Sequence, residues 1–217
     1  MVKRFFDVIA SAVALVVLAP VFCAAAIGIR LKSPGPVFFR VPRVGLRNVR
    51  FTMYKFRTMR VDQGSFRSAI TRRDDQRVFA FGSLLRRLKI DELPQLFNIL
   101  KGDMSIVGPR PEDPRIVDDY YPPEYLCTLD VRPGLASPGS IYNYTHGEQI
   151  LTGPDPEKEY VERLLSVKLS LDSIYVREAS FLYDLRIIFR TVWTVLRSAL
   201  GKRHFADPPE MKKALSY

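Results

Sequence analysis

The sequence predicts an α+β fold that is mostly helical, with a small β-hairpin and an N-terminal anchor. Three observations support this expectation: an uncharged N-terminal run, one pair of β-prone segments, and amphipathic helical patterns elsewhere. A length of 217 residues suits one ordinary domain with an appendage. We therefore expect an anchor over residues 1–32, a cytosolic, membrane-associated domain over residues 33–203 and a tail over residues 204–217.

The N-terminal run contains 22 residues without a charge, between Asp7 and Arg30. This length is enough to span a bilayer, which needs about 20 apolar residues. Basic residues flank the run at both ends: Lys3, Arg4, Arg30 and Lys32. Because positive charge favours the cytoplasmic side and Pro20 interrupts a straight helix, we expect a re-entrant membrane hairpin broken at Pro20. A single span and a cleaved signal peptide are the alternatives.

The charge of the chain indicates the class of its partner, and its cysteine content indicates its redox environment. The chain has 33 Lys and Arg residues against 23 Asp and Glu, a net charge of +10. This excess predicts an anionic partner, which is a phosphate, a nucleic acid or an acidic membrane surface. Residues 30–60 include nine basic side chains and no acidic one. Cys23 and Cys127 are too few for a disulfide framework and favour a reduced, cytosolic setting.

The hairpin is predicted from two β-prone segments, Val37–Phe39 and Val49–Met59. In the second segment Lys55 and Arg57 alternate with apolar residues, so both side chains are expected on one side of the strand. The polar segment Asp62–Arg77 is predicted to be a loop.

Helical patterns begin near Val78 and continue over residues 91–101, where Gly102 is a natural C-cap. Apolar residues at helical spacing predict one buried face on the second helix: Leu93, Leu96, Phe97 and Leu100. Recurring prolines predict a loop-rich region over residues 103–156. Loops of this length are uncommon in compact domains unless they form a binding site, so we expect the site here.

Two further helices are predicted, over residues 157–171 and 180–200. The second is amphipathic, with apolar residues on one side: Leu185, Ile188, Val192, Val195 and Leu196. Its other side carries basic residues: Arg186, Arg190 and Arg197. We expect this helix to lie in the bilayer interface, and the sequence supports equally the alternative that it packs on the core as an ordinary surface helix.

Asp91 and Glu92 are adjacent carboxylates at the start of a predicted helix. In a purely structural interpretation Asp91 is an N-cap and Glu92 interacts with the helix dipole. Several cations belong to the same part of the predicted fold: Lys55, Arg57, Arg86, Arg87, Lys89 and Arg110. We expect them to lower the pKa of Asp91, to keep it ionised as a nucleophile, and to neutralise a diphosphate. A second carboxylate suits Mg²⁺, so the set indicates phosphoryl transfer.

Other chemistries lack the residues they need. His146 and His204 do not have zinc-site spacing, and the chain has neither a P-loop motif nor a nucleophile-elbow motif. A different class of function is a non-catalytic, membrane-tethered protein that binds anionic lipid or nucleic acid through residues 30–60. That hypothesis explains the basic segment and leaves the paired carboxylates unexplained.

Five stretches together resemble the monotopic phosphoglycosyl transferases, a family of bacterial sugar transferases: YKFRTM, DDQR, KIDELPQLFNILKGDMSIVGPRP, DVRPG and DLRIIFRTV. The similarity extends from the anchor to about Leu196. Its most specific part is the Asp-Glu-Leu-Pro-Gln run joined to Gly-Pro-Arg-Pro. The chain departs from the family at Ala19, which precedes Pro20 where many members have Ser-Pro. It also departs over residues 136–140, which leaves the identity of the sugar open.

The resemblance implies an enzyme held on the cytoplasmic face of the bacterial inner membrane by a re-entrant helix. Members of this family transfer a sugar 1-phosphate from a UDP-sugar to polyprenyl phosphate, usually undecaprenyl phosphate, and release UMP. This is a first membrane step of polysaccharide or glycoconjugate synthesis. No nucleic-acid partner is implied, and the sequence leaves open the pathway and whether the protein forms a homodimer.

The resemblance also implies roles for individual residues. Asp91 matches the covalent nucleophile, which forms a phosphosugar-aspartyl intermediate, and Glu92 matches the Mg²⁺ ligand. Three cations match phosphate-binding positions of the family: Lys55, Arg86 and Arg110. Arg57 joins these candidates because of its expected place beside Lys55 on the strand.

Overall fold

The computed structural model describes residues 2–60 and 75–214, apart from the side chain of Glu148. Within these residues the protein is mostly helical with a small antiparallel β-sheet, as the sequence predicts. Residues 62–74 of the predicted polar loop lie outside the described residues. The division into anchor, domain and tail stays a prediction.

Two helices form the N-terminus, α1 (Val2–Val17) and α2 (Ala19–Lys32), and the pair is bent by 60°. Pro20 lies in the first turn of α2, where its missing N–H removes no helical hydrogen bond. Among the described helices none is long and apolar enough to cross a membrane by itself, whereas this bent pair meets the criterion when taken together. The break is where the sequence predicts it, and its geometry suits a broken span as well as a re-entrant hairpin.

The predicted β-hairpin is present. Its strands, β1 (Phe38–Val44) and β2 (Arg50–Phe56), pair antiparallel along their full length. Strand β2 ends at Phe56 and not at Met59, so the alternation of the strand does not extend to Arg57.

The hairpin is followed by α3 (Ala80–Arg87), a 3₁₀ turn (Ile90–Glu92) and α4 (Gln95–Lys101). The helix that was predicted over residues 91–101 therefore starts later, and the two carboxylates lie in the turn before it. Gly102 ends α4 with a φ of 101°, in the left-handed region that glycine adopts without steric cost, as predicted.

The buried face of α4 differs from the predicted one. Leu96 is buried, but Phe97 is 45% exposed and Asn98 is fully buried. Asn98 donates a hydrogen bond to the Thr52 carbonyl (2.7 Å) and accepts one from the Tyr54 amide (3.0 Å). The amide thus links α4 to β2 by polar contacts, which the spacing of apolar residues cannot reveal.

The region 103–156 contains more regular structure than predicted. Its elements are β3 (Ser105–Val107), α5 (Pro114–Tyr120), a 3₁₀ segment (Pro123–Leu129), β4 (Gly134–Ala136) and α6 (Pro138–Ile150). Strands β3 and β4 pair in parallel. The expectation of a long loop region is wrong because several prolines occupy first turns of helices, where proline is tolerated. The side chains of Asp113 and Ser137 cap two of these helices.

The remaining elements are α7 (Pro156–Glu159), a π-helical stretch (Tyr160–Leu165), α8 (Ser166–Glu178), α9 (Phe181–Ala199) and α10 (Met211–Ala214). Helix α7, the π-helical stretch and α8 follow one another without a break. They correspond to the helix predicted over residues 157–171 and continue about two turns past its predicted end. Helix α9 agrees closely with the predicted range 180–200.

Helix α9 packs on the core with one side and exposes an apolar stripe on the other. The exposed residues are Leu182, Leu185, Phe189, Val192, Trp193 and Leu196. The buried side carries Asp184, Ile187 and Thr194, whereas Ile188 and Val195 of the predicted apolar face are half-buried. A helix that exposes such a stripe is typical of a membrane interface, although α9 also has the core contacts of an ordinary surface helix.

Both ends of the N-terminal helix pair contact the rest of the protein. Lys3 pairs with Asp184 at 2.5 Å, and the buried Asp7 accepts a hydrogen bond from Ser105 Oγ at 2.8 Å. Near the end of α2, Ile29 is fully buried in an apolar cluster that includes residues of the hairpin and of α3. The two ends are therefore fixed to one and the same domain.

Candidate active site

Glu92 lies at the centre of a group of cations. Arg110, in the loop after β3, approaches the Glu92 carboxylate with two nitrogens, the nearer at 2.5 Å. The ammonium of Lys55, on β2, lies 3.3 Å from Glu92 Oε1, and that of Lys89 lies 3.7 Å away. Burial opposes ionisation of Glu92, but Arg110, Lys89 and Lys55 together outweigh it and hold the pKa of this carboxyl well below its usual range.

Asp91, on the same 3₁₀ turn, has a different environment. Its side chain is buried, and within the described part of the chain its Oδ1 atom has no hydrogen-bond partner. The interpretation of Asp91 as an N-cap is wrong, because among the described residues no backbone amide donates a capping hydrogen bond to this carboxylate, and Pro94 immediately precedes α4. A buried acceptor without a partner is costly, so it indicates a group that is reserved for a ligand or a reaction.

The pKa of Asp91 departs from the sequence-based expectation. Burial raises this pKa and the charge of Glu92 raises it further, while Lys55, Lys89 and Arg86 act in the opposite direction. The expected depressed pKa is therefore wrong for Asp91 and applies instead to Glu92. The reason is geometric, since both carboxyl groups are buried but the cations converge on Glu92, so the burial of Asp91 is not offset by opposite charge.

Burial also changes the pKa values of two cations of the site, Lys55 and Arg86. Burial lowers the pKa of Lys55 to about 8. The charges of Arg110 and Lys89 lower it as well, whereas those of Glu92 and Asp91 raise it. Arg86, on α3, donates a hydrogen bond from Nε to Thr58 Oγ1 at 2.8 Å. Burial lowers the pKa of Arg86, and the charge of Asp91 is the strongest influence in the other direction. Arg86 thus belongs to the electrostatic surroundings of Asp91.

Arg57 contacts a different part of the protein. Its guanidinium donates to the Pro36 carbonyl (2.5 Å), to Ser33 Oγ (2.7 Å) and to the Ser33 carbonyl (2.6 Å). These bonds tie the segment after α2 to the end of the hairpin. Because β2 ends before Arg57, the expected placement beside Lys55 does not lead to shared contacts with Glu92, and a phosphate-binding role for Arg57 stays a prediction.

Helix α8 supports the loop that carries Arg110. Its buried Lys168 pairs with Glu112, which also accepts a hydrogen bond from Tyr160 Oη at 2.5 Å. Asp172, one turn further along, accepts bonds from the amides of Gly139 (2.9 Å) and Arg110 (3.4 Å). Burial raises the pKa of Asp172 to about 6.

Sequence reasoning missed this support. The sequence offers only that Lys168 and Asp172 stand four residues apart in a helix of mixed apolar and polar residues, and this spacing does not reveal which loop they contact. The backbones at the ends of β3 and β4, next to the same loop, are also in close contact. A Cβ atom on Gly134 would lie only 2.1 Å from the Gly108 nitrogen. Only glycine allows the two backbones to approach in this way.

The donor set fits a Mg²⁺ ion that is held largely by substrate. Between residues 2 and 60 and between 75 and 214, no three His, Cys, Asp or Glu side chains form a group that could hold an ion by themselves. Mg²⁺ commonly takes one or two carboxylate oxygens and completes its shell with phosphate oxygens and water. The unpartnered oxygen of Asp91 and the neighbouring Glu92 carboxylate are oxygens of this kind.

The candidate site thus consists of two buried carboxylates, of which Glu92 is contacted by Lys55, Lys89 and Arg110. The chain matches the bacterial sugar transferase family over residues 1–198 and belongs to that family.

Individual relatives support this assignment. A UDP-glucose:undecaprenyl-phosphate glucose-1-phosphate transferase of Caulobacter vibrioides is 38% identical over 197 residues, which is 89% of this chain and 69% of the relative. A UDP-N-acetylgalactosamine-undecaprenyl-phosphate N-acetylgalactosaminephosphotransferase of Aeromonas hydrophila is 36% identical over 90% of this chain. The chain spans only 44% of the length of that Aeromonas protein. The exopolysaccharide production protein PSS of Rhizobium leguminosarum bv. phaseoli is 36% identical and is matched over 97% of its length.

Proposed function

We propose that this protein transfers a sugar 1-phosphate from a UDP-sugar to polyprenyl phosphate, most simply undecaprenyl phosphate, and releases UMP. The observation that carries the proposal is the buried Asp91 carboxylate, whose Oδ1 has no partner within the described residues, beside a Glu92 carboxylate held by three cations. The names of the relatives support the substrate classes, since they specify UDP-sugar donors and undecaprenyl-phosphate acceptors.

In the first step a carboxylate oxygen of Asp91 attacks the phosphorus that bears the sugar. The bond from this phosphorus to the bridging oxygen of the diphosphate breaks, and UMP leaves with the electron pair. Asp91 then carries the sugar 1-phosphate as an acyl phosphate. Lys55, Arg110 and Arg86 neutralise the phosphate charge that the buried carboxylates would otherwise repel.

In the second step an oxygen of the polyprenyl phosphate attacks the same phosphorus. The bond to Asp91 breaks, the carboxylate is restored, and the product is a polyprenyl diphosphate sugar. Two sequential displacements allow a water-soluble donor and a lipid acceptor to use one small site in turn. Glu92 is the candidate ligand for Mg²⁺, which would supply charge neutralisation at the diphosphate when bound.

The proposed location is the cytoplasmic face of the bacterial inner membrane, with α1 and α2 as a re-entrant anchor. Support comes from the 60° bend and from the contacts that fix both ends of the helix pair to one domain, since both ends then lie on one side of the membrane. Labelling of a cysteine introduced at Val2 tests this arrangement. We expect labelling from the cytoplasmic side only, and labelling from the outside would exclude the hairpin.

The covalent step is tested by incubating the purified full-length protein with UDP-glucose or UDP-N-acetylgalactosamine, Mg²⁺ and no acceptor. We expect the protein to gain the mass of a sugar phosphate, located at residue 91 by peptide mapping, with release of UMP. Asp91→Asn should abolish both signals. Asp118→Asn is the matched control, because Asp118 pairs with Arg50 on the surface and should leave both signals unchanged.

Two results would contradict the proposal. Formation of lipid product without any adduct on Asp91 would exclude the covalent mechanism. Binding of anionic lipid without turnover of either UDP-sugar would instead favour a tethered binding protein. The relative from Rhizobium suggests that the product enters exopolysaccharide synthesis, and a loss of exopolysaccharide in cells that carry Asp91→Asn would support that pathway.

A further inference from the structure

Lys89 has an unusual backbone conformation next to the carboxylate pair. It lies between α3 and the 3₁₀ turn with φ of 56° and ψ of 18°, in the left-handed region. This conformation is sterically unfavourable for most residues with a side chain, and glycine or asparagine adopts it more readily. Strained backbone of this kind often marks a functional position, so the side chain of Lys89 needs an explanation.

The side chain of Lys89 is fixed from two directions. Its ammonium lies 3.7 Å from Glu92 Oε1 and 4.5 Å from the centroid of the Tyr144 ring. Tyr144, on α6, is itself held by a hydrogen bond from its hydroxyl to the Arg87 carbonyl at 3.2 Å. The ring and the carboxylate therefore direct the ammonium toward the carboxylate pair.

The cations around Glu92 exceed the charge of the carboxylates. Lys55, Lys89 and Arg110 carry three positive charges against the two negative charges of Asp91 and Glu92, an excess that attracts an anion. Among these three cations Lys89 has the most exposed side chain, at 33% against 20% for Lys55 and 19% for Arg110. An incoming phosphate can reach Lys89 without displacing the buried contacts of the other two.

We propose that Lys89 is a further phosphate-binding residue, which moves from Glu92 to a phosphoryl oxygen of the substrate, and that Tyr144 positions it. The inference rests on the proposed function. Donor and lipid acceptor both carry the phosphate chemistry that an ammonium recognises, so the two half-reactions must be measured separately.

The experiment uses the full-length protein in detergent. Adduct formation from UDP-glucose alone measures the donor half-reaction, and discharge of the isolated adduct by undecaprenyl phosphate measures the acceptor half-reaction. We expect Lys89→Asn to slow at least one of them about tenfold and Lys89→Arg to retain most of the rate. Lys158→Asn is the matched control, because it removes a largely exposed lysine charge on α7, where Lys158 pairs with Glu162, and it should remain near the wild-type rate.

Thermal stability separates a binding role from a structural one. Asparagine suits the left-handed conformation, so Lys89→Asn should not lower the Tm. Tyr144→Leu should reduce the same half-reaction severalfold, whereas Tyr144→Phe keeps the ring and should remain near wild type. In an Lys89→Asn background the effect of Tyr144→Leu should disappear, because the positioned ammonium is already absent.

Several outcomes would overturn this inference. The inference is wrong if Lys89→Asn leaves the rates of both half-reactions unchanged. It is also wrong if Lys89→Asn lowers the Tm and Lys89→Arg loses as much of the rate as Lys89→Asn does. If the wild type forms no adduct, the proposed function fails separately. The contact can still be measured then as the affinity of Asp91→Asn for UDP-glucose and for undecaprenyl phosphate. At least one of these affinities should fall about tenfold when Lys89→Asn is added, and the inference is contradicted if neither falls.

Discussion

Asp91 and Glu92 are neighbours in the chain, yet the pKa values of their carboxyl groups shift in opposite directions. Adjacent carboxylates cannot both ionise easily in a buried site, so the partner with the better contacts remains charged. Arg110 and Lys55 make Glu92 that partner. The raised pKa of Asp91 means that its negative charge is poorly stabilised in the free protein, which favours its reaction with an approaching phosphorus once it is ionised.

The lowered pKa of Lys55 predicts a pH dependence. This ammonium is charged below about pH 8 and loses its proton as the pH rises through that value. Because the charged form binds phosphate, we expect kcat/KM for the UDP-sugar to fall on the alkaline side with a midpoint near 8. Lys55→Arg should move this limb upward, since an arginine stays charged.

Initial rates from pH 6 to 10 at low UDP-sugar concentration measure this limb. Lys101→Arg is the control, because the side chain of Lys101 is largely exposed on α4 and pairs only with Asp103 among the described contacts. An alkaline limb that is identical in wild type and Lys55→Arg would show that another group titrates.

At the scale of elements, α8 determines where the Arg110 loop lies. Lys168 pairs with Glu112, and Asp172 accepts a hydrogen bond from the Arg110 amide. The loop is therefore held by charged side chains that are buried from water. Such contacts stabilise only while every partner is present, because an unpaired buried charge is costly.

We expect Lys168→Met to lower the free energy of unfolding by about 3–5 kcal/mol, because it leaves the Glu112 carboxylate buried without its cation. The double variant Lys168→Met with Glu112→Leu should recover much of this loss. Urea denaturation followed by tryptophan fluorescence measures both changes. Equal stability of wild type and Lys168→Met would show that water compensates the carboxylate.

Elements with a regular local pattern were predictable. The kink at Pro20, the hairpin and the range of α9 all follow from runs of residues that are close in sequence. The parallel pair β3 and β4 was missed because each strand has only three residues, too few to show alternation. The prolines were misread because proline marks helix starts as well as loops, and the side chains that cap these helices decide which.

At the scale of the whole molecule, the N-terminal ends of α1 and α9 contact each other, and both helices expose apolar residues. Phe6 contacts Phe181 edge to face with ring centroids 5.3 Å apart, and Lys3 pairs with Asp184 at the start of α9. Exposed apolar side chains continue along α1: Val2, Phe5, Ile9, Val13 and Val16. Apolar surface on this scale is rarely left in water, which supports the proposal that this face meets the membrane.

The double variant Phe189→Glu with Trp193→Glu tests this face. Phe189 is 69% exposed and Trp193 is 50% exposed, so the changes should not disturb the core. We expect binding to vesicles that contain anionic lipid to weaken about tenfold or more, since each aromatic side chain contributes roughly 1.5–3 kcal/mol when buried. Arg186→Ala should weaken it less, through lost attraction to lipid phosphates.

Flotation with vesicles measures the bound fraction. Leu126→Glu is the control, because Leu126 is an exposed apolar residue outside α1 and α9 and should leave binding unchanged. Equal weakening in the control and the double variant would mean that the stripe on α9 has no special contact with lipid.

The sequence by itself determined the mostly helical α+β class, the break in the N-terminal helix pair and the hairpin, and it contains the adjacent carboxylates Asp91 and Glu92. These features depend on residues that are near one another in the chain, where spacing and side-chain type are sufficient evidence. Only the tertiary structure decided that the cations converge on Glu92 and not on Asp91, that Arg57 bonds to the segment after α2, and that α8 holds the Arg110 loop. Electrostatics and burial depend on distances across the fold, and spacing along the chain does not contain them.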